Sequence, residues 1–147
     1  MEDLQKNFLL QLQAITTPYK RYFYNRVDFS QKLIGVFGDR GIGKTTFLLQ
    51  YLKELDLPFS EKLYINGEYI SMSRIDLLEL AKEFASKGGK ILVIDEIHQY
   101  ENFEKHLKLI YDMFDMQVIF TGSNAIKLEH SKADLSRRAL VYRFQGL

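Results

Sequence analysis

Residues 38–45 have the types and the spacing of a loop that binds phosphate. They read Gly-Asp-Arg-Gly-Ile-Gly-Lys-Thr and fit the pattern G-x-x-x-x-G-K-[ST] at every required position. Backbone N–H groups of such a loop can turn inward around an anion, so the pattern predicts binding of a nucleotide's phosphates. The predicted contacts are Gly38, Asp39, Arg40, Gly41, Ile42, Gly43, Lys44, Thr45 and Thr46.

The elements on either side are those that position such a loop. The apolar run Leu33–Phe37 predicts a buried strand, and residues 44–55 carry apolar side chains at helical spacing. A helix that begins at the loop adds the partial positive charge of its N-terminus to the anion site. The glycines at 38, 41 and 43 permit the positive φ angles and the close backbone approach that wrapping an anion requires.

Two adjacent carboxylates end another predicted strand. Residues 91–94 are Ile-Leu-Val-Ile, typical of a central parallel strand covered on both faces, and Asp95 and Glu96 follow them. In open parallel sheets, ligands bind outside the carboxyl ends of the strands, where the phosphate loop also lies. There Asp95 can contact the water shell of Mg²⁺, and Glu96 can orient or deprotonate an attacking water. The alternative is a pair of solvated charges at a strand end.

Polar residues near the same edge of the sheet are further candidates. Thr121, Ser123 and Asn124 end a fourth predicted strand, where a hydroxyl or amide can hydrogen-bond the γ-phosphate or the attacking water. We prefer Ser123 for this sensing role, although Ser, Gly and Asn also occur there simply as turn formers. His98 can relay a proton or sense the γ-phosphate, or it can be a loop histidine without a special role.

Arg137 and Arg138 precede the last predicted strand. An arginine can neutralise the charge that develops on a transferred phosphoryl group, in its own site or in that of a neighbouring subunit. The last strand is expected to flank the strand of the phosphate loop. These side chains could therefore point to their own site or to that of a neighbouring subunit. Paired arginines are equally typical of a solvated surface, and the sequence does not decide between these interpretations.

Strands alternate with helices along the chain, which predicts a three-layer α/β domain around a mainly parallel five-stranded sheet. Residues 1–147 are interpreted as a single domain, in which residues 1–30 form an N-terminal helix and a lead-in. Gly88 and Gly89 are expected to end a helix. The predicted strands are residues 33–37, 62–66, 91–94, 118–120 and 139–142, and the predicted helices are residues 3–15, 44–55, 75–86 and 103–114.

The composition is that of an ordinary globular domain. The 147 residues are 46% hydrophobic and 27% charged, with a net charge of +1 and no cysteine. No disulfide or thiolate chemistry is therefore available, and no overall basic charge favours nucleic acid or a membrane surface. We see neither a secretory signal nor an apolar run of membrane-spanning length, so we expect a cytoplasmic location. The aromatic and basic residues 19–24 can stack on a base or on nucleic acid, or pack onto the sheet.

With both motifs in place, the chain resembles the P-loop ATPases of the AAA-type, additional-strand class. It is similar to a prokaryotic group whose cores read like residues 91–97, Ile-Leu-Val-Ile-Asp-Glu-Ile, and residues 118–123, Val-Ile-Phe-Thr-Gly-Ser. The resemblance covers residues 20–147. The implied roles are Lys44 on the β- and γ-phosphates, Thr45 and Asp95 on Mg²⁺, Glu96 as catalytic base and Ser123 as sensor.

The resemblance has further implications and two departures. Arg138 matches an arginine usual before the final strand, and the strand ending in Asp95 is expected not to lie directly beside that of the phosphate loop. Members of this group usually continue into a helical lid, a winged helix and often a nuclease-like domain, which we do not expect within residues 1–147. The second predicted strand is also less acidic than usual. We therefore expect an ATPase core taken from a longer protein.

Together the motifs predict Mg²⁺-dependent ATP binding and hydrolysis by in-line attack of water. No guanine-selecting Asn-Lys-x-Asp motif occurs, so ATP is expected to be preferred over GTP. One alternative is a nucleotide-controlled switch or scaffold with slow hydrolysis, and a second is a small-molecule kinase. Lys44 is the only assured cation near the γ-phosphate, which suggests a homo-oligomer or a protein partner that supplies an arginine.

Overall fold

A computed structural model of the protein describes residues 1–14, 27–39, 43–123 and 135–144. It is an α/β structure with a five-stranded parallel sheet, as the sequence predicts. The strands are Leu33–Gly38 (β1), Lys62–Asn66 (β2), Ile91–Asp95 (β3), Gln117–Gly122 (β4) and Leu140–Phe144 (β5). The α-helices are Glu2–Ala14 (α1), Lys44–Glu54 (α2), Gly67–Met72 (α3), Leu77–Ser86 (α4), Phe103–Met113 (α5) and Leu135–Arg138 (α6).

The order of the strands determines which polar residues meet at the carboxyl edge of the sheet. It is β2-β3-β4-β1-β5, so β4 lies between the strand ending in Asp95 and the strand of the phosphate loop. This confirms the expected separation of those two strands, and β5 flanks β1 as predicted. In this register Thr121 of β4 pairs with Val36 of β1. Ile94 of β3 pairs with Phe120, which puts Asp95 and Thr121 at the same level.

Helices cover the sheet on both faces. Every residue of β1 and of β3 is buried, which requires cover on both sides of the sheet. Helix α1 contacts α2, and α5 contacts both α4 and α6. None of the helices in the described part of the chain has the length and apolar character that crossing a membrane requires.

A buried lysine fixes the end of α2, the helix that begins at the phosphate loop. The Lys62 ammonium donates to the carbonyls of Leu52 (2.5 Å) and Leu55 (2.9 Å) at the C-terminal end of this helix. These carbonyls have no partner within the helix, so a cation there satisfies them. Burial lowers the pKa of Lys62 from its ordinary value, and the charge of Asp56 opposes this shift.

Helix boundaries follow local hydrogen bonds that the apolar periodicity does not report. The helix predicted to begin at residue 75 begins at Leu77, because the Asp76 side chain caps it by accepting the Glu79 N–H at 3.0 Å. Helix α4 ends as predicted, with Gly88 in the left-handed region at φ 89°. Helix α3 was not predicted, and it begins where Asn66 accepts two backbone N–H groups at the end of β2.

Helix α6 was not predicted either, and several strand ends differ by one or two residues from their predicted positions. Strand β4 continues to Gly122 and β5 to Phe144, beyond the apolar runs that predicted them. Helix α1 ends at Ala14, whereas Ile15 and the aromatic segment 19–24 lie outside the described residues. Strand ends move more readily than strand centres because their boundaries depend on hydrogen bonding to neighbours.

Gly35, in the middle of β1, packs directly against an aromatic ring of β4. A Cβ atom at this position would lie 2.7 Å from Cζ and 2.9 Å from Cε2 of Phe120, whose side chain is fully buried. We expect Gly35→Ala to lower the free energy of unfolding by about 1–3 kcal/mol, because the ring has no free space to move into. Urea unfolding monitored by circular dichroism measures the change.

The matched control combines this change with a shorter partner. Phe120→Leu removes the ring atoms that the new methyl group would meet, so the double variant should lose less stability than the sum of the two single losses. Additive losses would show that the contact between positions 35 and 120 does not limit the side chain at Gly35.

Candidate functional site

The two ends of the predicted phosphate loop lie where the motif requires them. Strand β1 ends at Gly38, and α2 begins at Lys44, directly after Gly43 in the left-handed region at φ 93°. Gly43 therefore has the positive φ that we predicted. Gly38 does not, since it is the last extended residue of β1 and pairs with Phe144 of β5. Residues 40–42 of the predicted loop lie outside the described residues.

Lys44 lies at the mouth of this loop. Its side chain is 7% exposed, and its ammonium donates to the carbonyl of Gly38 at 2.5 Å and to that of Asp39 at 3.5 Å. The residue that caps α2, Gly43, has no side chain, so no cap side chain occupies the N–H groups of the first helical turn. A cation and a helix N-terminus therefore face the same loop, the arrangement that attracts an anion.

Asp95 is the centre of the hydrogen bonds at the carboxyl edge of the sheet. The residue is 2% exposed. Its Oδ2 accepts the hydroxyls of Thr45 and Tyr64, each at 2.5 Å. Its Oδ1 accepts the hydroxyl of Thr121 and the N–H of Glu96, the latter at 3.2 Å. Four donors from α2, β2, β4 and the chain after β3 therefore hold one carboxylate, and they bring Thr45 and Asp95 together as predicted site residues.

Tyr64 is a member of this cluster that the sequence analysis missed. It lies in β2 and is 4% exposed, and its ring stacks on that of Phe8 in α1 with centroids 6.5 Å apart. Burial raises the pKa of the Tyr64 hydroxyl well above its ordinary value, and the charge of Asp95 raises it further. The hydroxyl therefore remains a donor at physiological pH. The available signal was a hydroxyl in the middle of a strand whose last residue, Asn66, pairs with Asp95.

Glu96 has an unusual backbone conformation directly after β3. Its φ is 52° and its ψ is 46°, in the left-handed region that non-glycine residues rarely adopt. The turn is held by the Glu96 N–H, which donates to Thr121 Oγ1 at 3.0 Å, and by the Glu96 carbonyl, which accepts the Gln99 N–H at 3.1 Å. Strained conformations of this kind persist when surrounding contacts determine them, and they occur often at functional sites.

The Glu96 side chain lies beside His98. Glu96 Oε2 is 3.4 Å from His98 Nε2, and both side chains are about a quarter exposed. The other ring nitrogen, Nδ1, is buried, with no hydrogen-bond partner among the described residues. His98 therefore contacts the carboxylate that we predict to be the base, whereas a contact with the γ-phosphate stays a prediction.

Thr121, one of three candidates at the end of β4, reaches both carboxylate residues. It is fully buried, donates to Asp95 and accepts the N–H of Glu96. Ser123, which we preferred as sensor, follows β4 directly and is half-buried, and its sensing role stays a prediction. Asn124 lies outside the described residues.

Arg138 lies at the opposite edge of the sheet from the phosphate loop. Its guanidinium binds Asp112 near the end of α5 (Nε–Oδ1 2.9 Å) and lies 5.9 Å from the Tyr111 ring. It precedes β5, at the end of the sheet where the strands begin, whereas Gly38 lies where β1 ends. A role of Arg138 at a phosphate, in its own subunit or in a neighbouring one, stays a prediction.

A different arginine lies near the carboxyl edge. Arg143 of β5 pairs with Phe37, the residue before Gly38, and its guanidinium lies 4.7 Å from the centre of the Phe37 ring. The sequence analysis did not single out Arg143. The feature of the sequence that could have identified Arg143 is its position near the end of the last strand, instead of at the start.

The sequence of the chain also matches a known family. Residues 30–147 match the family described as the AAA domain. The chain belongs to this AAA domain family. The matched range contains both the phosphate loop and the Asp95–Glu96 pair, and membership places the chain among nucleotide-binding domains of the ATPase type.

Two relatives of this AAA domain differ in how they are described. An uncharacterized protein of Methanocaldococcus jannaschii is 34% identical over 119 residues, which are 75% of this chain and 25% of that protein. The energy-coupling factor transporter ATP-binding protein EcfA2 of Caldanaerobacter subterraneus is 29% identical over 92 residues, 60% of this chain and 29% of that protein. The chain thus spans between a quarter and a third of the length of these relatives. The resemblance to ATPases that carry winged-helix and nuclease-like domains stays a prediction.

Gly67, the first residue of α3, leaves space for the Glu96 turn. A Cβ atom there would lie 2.4 Å from the Glu96 carbonyl oxygen and 3.1 Å from that of Asp95. We expect Gly67→Ala to lower the free energy of unfolding by about 1–3 kcal/mol, although alanine normally favours a helix over glycine. Urea unfolding measures the change. Ser71→Ala, an exposed position in the same helix, should be nearly neutral, and a Gly67→Ala protein as stable as the wild type would contradict the contact.

Proposed function

We propose that this AAA domain binds ATP together with Mg²⁺ and hydrolyses it with water as the acceptor. The observation that carries the proposal is the hydrogen bond from Thr45 of the loop helix to Asp95 of the acidic strand end. It joins the two motifs in one cluster at the carboxyl edge of the sheet. Family membership and the name of the Caldanaerobacter relative, an ATP-binding protein, support the same proposal.

The side-chain oxygens of Thr45 and Asp95 fit a magnesium ion. The Thr45 hydroxyl gives its one hydrogen to Asp95, so its lone pairs remain available to a cation. Thr45 would hold the ion directly and Asp95 through water, since Mg²⁺ takes few protein ligands and keeps several waters. When bound, the ion supplies positive charge beside the phosphates of the substrate.

The remaining residues divide the work of binding and proton transfer. The ammonium of Lys44 and the N-terminus of α2 bind the phosphates of ATP. Glu96 orients a water and accepts its proton as the water oxygen bonds to the γ-phosphorus and the bond to the β-phosphate oxygen breaks. The products are ADP and inorganic phosphate. Thr121 keeps the Glu96 backbone in place by accepting its N–H.

Replacing the base while keeping its shape tests the hydrolytic role. We expect Glu96→Gln to lower the turnover of ATP by about 10²–10⁴-fold, because an amide cannot accept the proton of the attacking water. Release of inorganic phosphate with ATP and Mg²⁺ measures turnover, and a fluorescent ATP analogue checks that binding persists. The matched control is Glu79→Gln, an exposed carboxylate on α4. Turnover by Glu96→Gln at the wild-type rate would remove Glu96 from this role.

Nucleotide choice follows from the absence of an Asn-Lys-x-Asp motif in the sequence. We expect ATP to bind more tightly than GTP, because no element of the chain matches the side-chain pattern that selects guanine. Competition of each nucleotide against a labelled ATP analogue, with Mg²⁺ present, measures the difference. Tighter binding of GTP would contradict the assignment of ATP as substrate.

A second candidate function is a nucleotide-controlled switch with slow hydrolysis. The observation that favours it is the 3.4 Å contact between Glu96 and His98, which engages the proposed base with another side chain. With its base held in this way, the domain would bind ATP and retain it longer before hydrolysis. Tight ATP binding with little phosphate release, and a change of assembly on ATP binding, would favour the switch over the hydrolase.

A further inference from the structure

We propose that the Tyr64 hydroxyl restrains cation loading, because it occupies the oxygen of Asp95 that a hydrated divalent cation has to contact. The inference rests on the proposed function, since it concerns the same Asp95. Tyr64 is in this sense a positioning residue that acts on the metal through Asp95. No sequence motif assigns it a role.

A carboxylate can accept only a limited number of hydrogen bonds. Its two oxygens offer about four lone-pair positions, and four donors surround Asp95. Thr121 and the Glu96 N–H are on Oδ1, whereas Thr45 and Tyr64 share Oδ2. A further donor, such as a water of a hydrated cation, therefore has to displace one of these four.

Of the four donors on Asp95, Tyr64 is the one that a cation can displace. Thr45 has to keep its hydrogen on Asp95 if its lone pairs are to face a cation. Thr121 and the Glu96 N–H also hold the left-handed turn at Glu96, so their loss would disturb the proposed base. Tyr64 neither presents lone pairs to a cation nor holds the turn at Glu96. It is the donor on Oδ2 that can leave without loss of another part of the site.

Displacement of the Tyr64 hydroxyl costs free energy and requires the ring to move. Tyr64 is buried, and a hydroxyl displaced from Asp95 without a new partner is unfavourable. One side of the ring packs on the buried Phe8 of α1. A cavity of about 330 Å³ between α1, β2 and α3 is lined by Tyr64 together with Asn7, Gln11 and Asn66, whose polar groups would be partners for the hydroxyl if the ring moved into it. Cation loading and the packing of α1 are thereby coupled.

The test measures metal affinity and stability separately from activity. Mn²⁺ is the probe, titrated with ADP into the full chain, and electron paramagnetic resonance reports free Mn²⁺. We expect Tyr64→Phe to bind Mn²⁺ about threefold to tenfold more tightly than the wild type, since one competing hydrogen bond is removed. Without metal and nucleotide the same variant should melt at a lower temperature, because Asp95 has lost a donor. Tyr69→Phe, which loses a hydroxyl on the half-exposed α3, should change neither quantity.

The Mn²⁺ affinities of the wild type and of Tyr64→Phe distinguish failure of the inference from failure of the proposed function. Equal or weaker Mn²⁺ affinity of Tyr64→Phe, in a wild type that binds Mn²⁺ and ADP, would overturn the inference and leave the proposed function standing. A wild type that binds no Mn²⁺ with ADP would overturn both. Should Tyr64→Phe fail to fold, Phe8→Leu keeps the hydroxyl but loosens the packing of its ring. We expect tighter Mn²⁺ binding in that variant too, and unchanged affinity would overturn the inference.

Discussion

The buried carboxylate of Asp95 is the constraint on which the site depends. A carboxylate removed from water needs donors on all sides, and the fold supplies them from four separate segments. Each donor is held in place in return. The same carboxylate therefore positions the start of α2, the end of β4 and the turn at Glu96. Three hydroxyls share this single charge, and each supplies part of the hydrogen bonding that the buried carboxylate requires.

The parallel sheet explains why this network forms at one edge only. All strands run in one direction, so the loop glycines, Asp95 and Thr121 lie together at their carboxyl ends. A different set of residues lies at their amino ends. At the amino end, Lys32 donates to the Tyr111 carbonyl at 2.7 Å, and Arg138 binds Asp112. Charged residues at the two edges therefore serve different purposes. Those at the amino edge join α5 and α6 to the sheet.

The sequence predicts best where chemistry and periodicity coincide. The strands that end at Gly38 and Asp95 are right to within a residue, because an apolar run meets a polar motif at each boundary. Tyr64 was missed because an aromatic residue in a strand normally signals packing, and its bond to Asp95 depends on how β2 and β3 are paired. The position of Arg138 in the sheet also follows from the sequence, because a residue that precedes a parallel strand lies at the amino ends of the strands.

The pairing of β1 also has a consequence for how the protein comes to be folded. Leu33 pairs with Val118 and Ile34 with Leu140, so the central strand finds both neighbours near the far end of the chain. Such non-local pairings form slowly, whereas β2 and β3 can pair within a short segment. During synthesis from the N-terminus, β1 has to wait until nearly the whole domain has been made. The nucleotide-binding edge of the sheet can therefore form only after β4 and β5 have been made, well after synthesis of the loop that follows β1.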